Sequence, residues 1–302
     1  MLLPRLHLFE TCDQPWVPEF LIERLQTILT LLWLLRVPIL QSHSPAALAS
    51  KTLHLLLSTR LHDHVYVDFC AGGGGPTPWI AEQLRARGDA VDFVLTDISP
   101  HIPAWRLAAS RDANIHYIRR SVNAAPPSKS LLHDSSLVIS PLAPLDTAER
   151  LQKRSTFGLF FLAFHHFPDE LARDILRAAL DTSTASGGFA IFELQGRTFQ
   201  EILMVLAIGP LVLLIAPFYF WNDPVMLFFI YIFPVIPLIL MFDGTVSCLR
   251  TRTEAEIMEL IRQSGADLDC WEIKHGFEVH TWPLGRMRWT AAIKRDSTQH
   301  LD

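Results

Sequence analysis

Short apolar runs alternate with helical patterns over most of this chain. Seven runs of β-branched, aromatic and other apolar residues have the length and spacing of strands. They cover residues 64–69, 92–95, 115–118, 157–164, 189–193, 270–273 and 289–293. Helical spacing covers 77–87, 169–180 and 253–264, the last opening with Thr253 and Glu256 as a capping box. The alternation predicts an α/β fold with a doubly wound, mostly parallel sheet. Residues 124–155, rich in Pro, Ser and Leu, predict a long surface insertion.

The apolar residues are most concentrated between residues 202 and 242. Two uncharged runs, 202–221 and 225–242, contain 20 and 18 residues and are joined by the turn Asn222-Asp223-Pro224. Twenty helical residues span about 30 Å, the hydrocarbon thickness of a bilayer. The pattern predicts a helical hairpin that enters a membrane.

Two alternatives remain for this hairpin, because prolines interrupt both runs. They are Pro210, Pro217, Pro234 and Pro237. Kinks at these positions allow a re-entrant hairpin that never fully crosses, and a pair of buried core helices is the second alternative. Arg197 precedes the runs and Arg250 and Arg252 follow them, whereas the turn has no basic residue. The positive-inside rule then predicts that both ends lie in the cytosol. We expect an intracellular membrane, in a eukaryote the endoplasmic reticulum, with the α/β domain on the cytosolic side.

A third apolar segment, residues 20–40, contains charged residues as well. Its first part, 18–36, predicts an amphipathic helix that lies on the membrane, closes over a pocket or packs as an ordinary helix. The residues before it lack the short apolar region of a secretory signal peptide.

Composition narrows the class of protein. Half of the 302 residues are hydrophobic and only 19% are charged, whereas soluble domains carry about 25%. The formal charge of −5 argues against a nucleic-acid partner, which requires a basic face. The four cysteines, at 12, 70, 248 and 270, are widely spaced, so they predict neither a zinc site nor a disulfide framework.

A glycine run follows the first predicted strand. Residues 68–76 read DFCAGGGGP, without the later glycine of a dinucleotide loop or the lysine of a P-loop. Asp68 would repel a phosphate and attract a cation, which favours an ammonium-bearing ligand such as S-adenosylmethionine. A tight strand–helix turn is the alternative. Asp97, at the end of the next strand, has the position of an acid that accepts both ribose hydroxyls, or of a helix N-cap.

The order of these motifs resembles class I S-adenosylmethionine-dependent methyltransferases. The chain reads DFCAGGGGP at 68–76, TDISPHIPAW at 96–105, FHHFPDELARDIL at 164–176 and GGFAIFE at 187–193. More narrowly, it is similar to a group with a D-x-C-[AS]-G-G-G-G-P motif and a late hydrophobic hairpin. The resemblance, which runs from about residue 9 to residue 251, implies a Rossmann-like fold.

The resemblance also implies a set of cofactor-binding residues. Asp68, Ala71, Gly72 and Gly74 would face the methionine part, Asp97 the ribose, and Ile98 and Asn123 the adenine. Cys70 departs from the glycine usual at its position. Asn123 stands where an acid is common, but its carbonyl can still accept the adenine amino hydrogen.

His165 and His166 follow the fourth predicted strand, at the edge where open α/β sheets bind ligands. A histidine there is a candidate catalytic base for a hydroxyl or amine. The alternative is that both histidines pack between phenylalanines and bind the backbone. Glu193, at the end of the fifth strand, is either a pocket residue or part of a strand-end turn.

These patterns together predict a membrane-anchored methyltransferase whose cofactor is S-adenosylmethionine. Its partners would be a lipophilic small molecule and the bilayer, with the oligomeric state left open. The alternative is a non-catalytic membrane scaffold with the same fold. The predicted organisation is an N-terminal helical segment at 1–60, a cofactor-binding domain at 61–200, the hairpin at 201–243 and a C-terminal completion of the sheet at 244–302.

Overall fold

One eight-stranded sheet organises the chain. The computed structural model describes residues 2–125, 128–181, 183 and 186–295. The strands are β1 His64–Phe69, β2 Phe93–Thr96, β3 Ile115–Ile118, β4 Leu137–Val138, β5 Ser155–Phe161, β6 Ser186–Glu193, β7 Trp271–Thr281 and β8 Gly285–Lys294. Their order is β4-β3-β2-β1-β5-β6-β8-β7.

Eleven α-helices lie in the described part of the chain. They are α1 Glu19–Leu34, α2 Pro45–Leu57, α3 Thr77–Ala86, α4 Ile102–Ala109, α5 Thr147–Lys153, α6 Asp169–Ala179, α7 Phe199–Leu206, α8 Ile208–Tyr219, α9 Pro224–Leu227, α10 Val235–Arg250 and α11 Glu254–Ser264. A π-helix, Phe228–Ile232, follows α9. The capping box of Thr253 and Glu256 at the start of α11 is confirmed.

The sheet is doubly wound around β1. From β1 the chain moves through β2 to β3 on one side, and then through β5 to β6 on the other, with all these pairs parallel. Strand β8 inserts antiparallel between β6 and β7, and the short β4 is antiparallel at the other edge. The predicted α/β class is therefore confirmed. The carboxyl ends of β1, β2, β5 and β6 meet at one edge, at the switch point where such sheets bind ligands.

The predicted surface insertion at 124–155 is wrong in one respect. It contains β4 and α5, and its side chains Leu131, Leu132 and Leu151 are buried in the cluster that covers one face of the sheet. These three leucines thus belong to the core, whereas Leu142 and Leu145 of the same segment are exposed.

The hydrophobic hairpin forms, but its second arm is not one straight helix. Helices α7 and α8 run on as one apolar helix, Phe199–Tyr219, with a mean hydropathy of 2.5 and length enough to cross a membrane. The return arm bends by 70° between Pro224–Ile232 and Val235–Arg250. The bend lies at Pro234, where the ring removes a backbone donor and restricts the preceding residue. This shape corresponds to a broken span or to the re-entrant alternative.

Both arms of the hairpin pack against α1. Leu21, Leu25 and Ile28 of α1 share a buried cluster with Val212 of α8 and Ile239 of α10. Other large apolar side chains of the hairpin stay exposed. They include Leu214, Phe218, Ile232, Phe233 and Leu238. The hairpin therefore has one face inside the protein and one apolar face outside it.

The arginines that flank the hairpin are not free surface charges. Arg197 pairs with Glu256 at 2.7 Å, and Arg252 pairs with Asp169 at 2.6 Å. Arg250 contacts two carboxylates and is likewise buried. Because these charges are neutralised inside the protein, they give no support to the predicted sidedness, which stays a prediction.

Paired leucine substitutions distinguish the two faces of the hairpin region. Leu25→Ala removes a side chain that is 1% exposed, and it should cost about 2–5 kcal/mol of unfolding free energy. The control Leu214→Ala, on a side chain that is 70% exposed, should change it by no more than about 0.5 kcal/mol. Denaturant titration in detergent measures both. Equal losses would contradict the packing of α1 against the hairpin.

Candidate active site

The glycine loop at residues 70–76 leaves β1 and enters α3 in a left-handed backbone conformation. Cys70, Gly72, Gly74 and Gly75 have φ values of +62°, +50°, +104° and +49°. Glycine adopts such φ values without steric cost, whereas a residue with a side chain does so only with strain. Cys70 stands where the resemblance predicts a glycine, and its backbone has the left-handed conformation that glycine favours.

Asp68 is a buried carboxylate at the end of β1. Its Oδ2 accepts a hydrogen bond from Thr77 Oγ1 at 2.5 Å, and its Oδ1 is buried with no partner among the described residues. Burial raises the pKa of this carboxyl to about 8, and the nearby charge of Asp97 adds to the effect. An unpartnered buried oxygen of this kind requires an explanation, and a cationic ligand, which would favour the ionised carboxylate and lower its pKa, supplies one.

Asp97 ties the glycine loop to the end of β2. Its Oδ2 accepts from the Gly72 amide and its Oδ1 from the Ser99 amide, both at 2.8 Å. Burial raises the pKa of Asp97 against these hydrogen bonds, which act to lower it. Each carboxylate oxygen has a second lone pair, so both can still accept from a ligand hydroxyl. Ile98, which follows, is 69% exposed and offers a flat apolar surface.

The other predicted cofactor residues lie around the same edge. The Ala71 amide donates to the Thr96 carbonyl at 2.9 Å, and the Val122 amide donates to the Asp97 carbonyl at 2.8 Å. The latter bond places the loop of Asn123 beside Asp97. Asn123 is exposed, but its Oδ1 accepts from the Ala125 amide at 3.0 Å. Its role toward adenine stays a prediction.

Two residues that contact the loop were not predicted from the sequence as site residues. Trp105 of α4 is fully buried, and its Nε1 donates to the Gly72 carbonyl at 2.8 Å. Gln26 of α1 lies against the glycines, since a Cβ built on Gly72 would be 3.3 Å from Gln26 Nε2. Helix α1 thus covers the loop, as in the expectation that this segment closes over a pocket.

His165 and His166 occupy a single 3-10 turn, Phe164–His166, just after β5. His165 Nδ1 lies 2.8 Å from Glu193 Oε2, and the His165 amide donates to Glu193 Oε1 at 3.1 Å. His166 Nδ1 lies 3.1 Å from Asp13 Oδ1. Glu193 is therefore the residue that orients His165. The two histidines bind carboxylates rather than the backbone alone.

Glu10, from the N-terminal segment, faces both rings. Its Oε1 is 3.7 Å from His165 Nε2 and its Oε2 is 3.6 Å from His166 Nε2. Arg250 lies 3.1 Å from Glu10 and 2.8 Å from Asp13. Burial acts to lower the pKa of His166, but the hydrogen bond to Asp13 and the charge of Glu10 outweigh it, so the pKa is raised.

An apolar cavity of about 380 Å³ ends at these polar groups. Its walls come from α1, the hairpin and the loops that follow β5 and β6. They include Leu25, Leu29, Leu32, Leu162, Leu194, Met204, Ile208, Leu211 and Ile239. The polar lining residues Glu10, His165, His166, Gln195 and Ser247 form one group, called the polar end here, and Gln41, His280 and Thr281 form another. Since Leu25 and Leu29 line the cavity and Gln26 of the same helix touches the glycine loop, cavity and loop are neighbours.

No family model and no curated protein sequence matches the chain. Among solved structures it is similar to LepI in complex with S-adenosylmethionine, with 13% identity, a TM-score of 0.42, and coverage of 81% of this chain and 46% of LepI. It is also similar to the CMeT domain of the citrinin polyketide synthase, with 14% identity, a TM-score of 0.47, and coverage of 88% of this chain and 56% of that domain. The magnesium protoporphyrin IX methyltransferase of Synechocystis PCC 6803 has 14% identity and a TM-score of 0.44, with coverage of 83% of this chain and 84% of the methyltransferase. The chain thus spans about half the length of the first two.

At these identities and TM-scores the likenesses extend to no activity, so a functional conclusion rests on the residues of this chain's own site. Those residues combine an acidic glycine loop with an apolar cavity that ends in two histidines.

The buried Asp68 predicts a pH-dependent stability. Between its unfolded pKa of 3.8 and its folded value of about 8, the folded state holds a proton that the unfolded state has lost. The contribution of Asp68 to the free energy of unfolding therefore falls as the pH rises from 3.8 to about 8. Asp68→Asn should remove this loss, which is about 6 kcal/mol at most. Thermal unfolding at pH 5 and pH 8, with the exposed Asp267→Asn as control, measures it. Parallel pH profiles for wild type and Asp68→Asn would refute the assignment.

Proposed function

We propose that this chain is an S-adenosylmethionine-dependent methyltransferase that acts on a lipophilic small molecule at a membrane. One observation supports it above the others. Asp68, at a left-handed glycine loop, has an unpartnered carboxylate oxygen, and helix α1 contacts this loop on one side and lines an apolar cavity with His165 and His166 on the other.

The residues at the loop fit the cofactor. Asp68 Oδ1 would receive the cationic methionine part, and the loop that contains Ala71, Gly72 and Gly74 would approach it closely. Asp97 would accept the ribose hydroxyls, while Ile98 and Asn123 would border the adenine. When bound, S-adenosylmethionine supplies an electrophilic methyl group. The absence of a P-loop lysine and the burial of a carboxylate both disfavour a phosphate-bearing ligand.

The acceptor would occupy the apolar cavity with its reactive atom at the polar end. A volume of about 380 Å³ falls in the usual range for small-molecule sites. We propose His165 and His166 as the residues that touch and activate this atom. Each directs Nδ1 to a carboxylate, so Nε2 is the nitrogen that faces inward. A group held in this way by a third residue has the arrangement of an activating base.

The exposed apolar face of the hairpin supports attachment to a membrane. Phe218, Ile232 and Phe233 are 78%, 73% and 61% exposed, and they belong to the same hairpin whose inner face lines the cavity. An acceptor dissolved in the bilayer would then lie close to the cavity. We propose an intracellular membrane with the α/β domain on the cytosolic side.

A second candidate is a membrane protein with this fold that binds no cofactor. The observation in its favour is Gln26, whose side chain lies against Gly72 and Gly73 where the cofactor would approach. Binding of S-adenosylmethionine separates the two candidates.

Asp97→Ala tests the ribose assignment. Loss of a charge-assisted hydrogen bond should weaken S-adenosylmethionine binding by about 10-fold to 150-fold. Calorimetry on the purified full chain in detergent measures the affinity, and the exposed Asp267→Ala is the control. An unchanged affinity for Asp97→Ala would show that the ribose lies elsewhere.

The hairpin predicts integral membrane attachment. Alkaline carbonate and high salt should leave the native chain in the membrane pellet. Leu214→Glu with Phe218→Glu places two charges on the exposed face and should release part of the protein, since each costs about 2.5–3.5 kcal/mol in the bilayer centre. Leu107→Glu, exposed on α4 of the α/β domain, is the matched control. Full release of the native chain by carbonate would refute the anchor.

A further inference from the structure

Three side chains converge at the polar end of the cavity. Glu10, His165 and His166 each offer one ligand atom, and these atoms lie within 4.8 Å of one another. Within the described residues this is the one such group of histidine, cysteine and carboxylate side chains. Because its members come from the N-terminal segment and from the turn after β5, the fold rather than a local motif brings them together.

The orientations of the two histidine rings suit a common ligand between them. His165 Nδ1 lies 2.8 Å from Glu193 Oε2, and His166 Nδ1 lies 3.1 Å from Asp13 Oδ1. A ring that donates Nδ1–H to a carboxylate presents an unprotonated Nε2. Histidines that bind metals nearly always have this outer carboxylate partner.

His165 Nε2 is the second observation. It is buried, in a side chain only 2% exposed, and it has no hydrogen-bond partner among the described residues. Its distance of 3.7 Å to Glu10 Oε1 is too long for a hydrogen bond. His165 Nε2 is thus a buried nitrogen without a hydrogen-bond partner. The Nε2 atoms of both histidines face the same carboxylate, that of Glu10.

The charges around the group leave room for a divalent cation. Glu10, Asp13 and Glu193 bring three negative charges, and Arg250 brings one positive charge. With neutral imidazoles the group has a net charge of −2. Arg250 and Ser247 contact Glu10 through Oε1, while Oε2 faces His166. The guanidinium therefore shares Glu10 Oε1 with His165 Nε2 and lies 3.4 Å from His166 Nδ1, which leaves Oε2 as the Glu10 oxygen for the ion.

We propose that Glu10, His165 and His166 bind a divalent transition-metal ion, with zinc as the probe. Metal–nitrogen and metal–oxygen bonds of about 2.0–2.2 Å place tetrahedral ligand atoms about 3.4 Å apart. The observed separations of 3.6 and 3.7 Å, each to a different oxygen of Glu10, are close to this value, and the three ligand atoms, which lie within 4.8 Å of one another, would have to move together to hold the ion. Two histidines and one carboxylate with an open position form a set typical of catalytic rather than structural metal sites.

Because Glu10, His165 and His166 all line the apolar cavity, an ion held by them would meet the acceptor there. It would bind an oxygen donor, such as a phenol, hydroxyl or carboxylate, at the end of an otherwise apolar molecule, and the two histidines would then activate that oxygen through the ion instead of touching it. This part of the inference rests on the proposed methyltransferase function. Metal binding itself does not depend on it.

Zinc titration of the untagged full chain in detergent, against a chromogenic chelator, tests the site. One ion per chain should bind with micromolar or tighter affinity. Glu193→Gln should weaken binding by about 10-fold to 100-fold, as for an outer partner, and His165→Gln and Glu10→Gln should weaken it further. His275→Gln removes an exposed histidine that pairs with Glu254, and it should leave the affinity unchanged. Circular dichroism and thermal unfolding without metal verify that each variant is folded.

Absence of zinc binding in the folded wild type would overturn the proposal. Binding that His165→Gln and Glu10→Gln leave unchanged would overturn it as well. Neither result bears on the cofactor site, because S-adenosylmethionine affinity is measured separately through Asp97. Loss of cofactor binding with retained zinc binding would instead refute the methyltransferase function alone.

Discussion

The buried ion pair of Arg250 and Glu10 is the interaction on which the rest of the site depends. Both side chains are 4% exposed and lie 3.1 Å apart, and Arg250 also binds Asp13. A buried charge without a partner costs several kcal/mol, so the N-terminal segment must lie against the end of α10. The carboxylates held there then face His165 and His166 at the carboxyl end of the sheet. One ion cluster thus joins the first residues, the hairpin and the candidate active site.

The same arrangement explains why the cavity is apolar. Helix α1 follows this N-terminal segment and packs its buried leucines against α8 and α10. In this position α1 covers the glycine loop on one side and the cavity on the other. The hairpin therefore contributes walls to the cavity as well as an exposed apolar face. A lipophilic acceptor and a membrane location follow from one structural feature, so the two proposals support each other.

Local pattern predicted most of the sheet. Strands β1 and β3 have the predicted bounds, and the acid at the end of β2 lies at the glycine loop, because alternation and turn residues act over short distances. The bend at Pro234 was predicted only as an alternative, since a proline weakens a helix without fixing its direction. Glu10, Asp13 and Gln26 could not be predicted as site residues. They are more than 45 residues from the side chains they meet, and no spacing rule covers contacts of that kind.

The preference of the glycine loop for a cationic over a phosphate-bearing ligand follows from Asp68, a buried carboxyl group with one unpartnered oxygen, and from the lack of a P-loop lysine. Calorimetric titration of the purified wild-type chain with S-adenosylmethionine, and separately with NAD, measures this preference. We expect one S-adenosylmethionine site per chain and no detectable NAD binding. Binding of NAD with no binding of S-adenosylmethionine would show that the loop is not a site for S-adenosylmethionine.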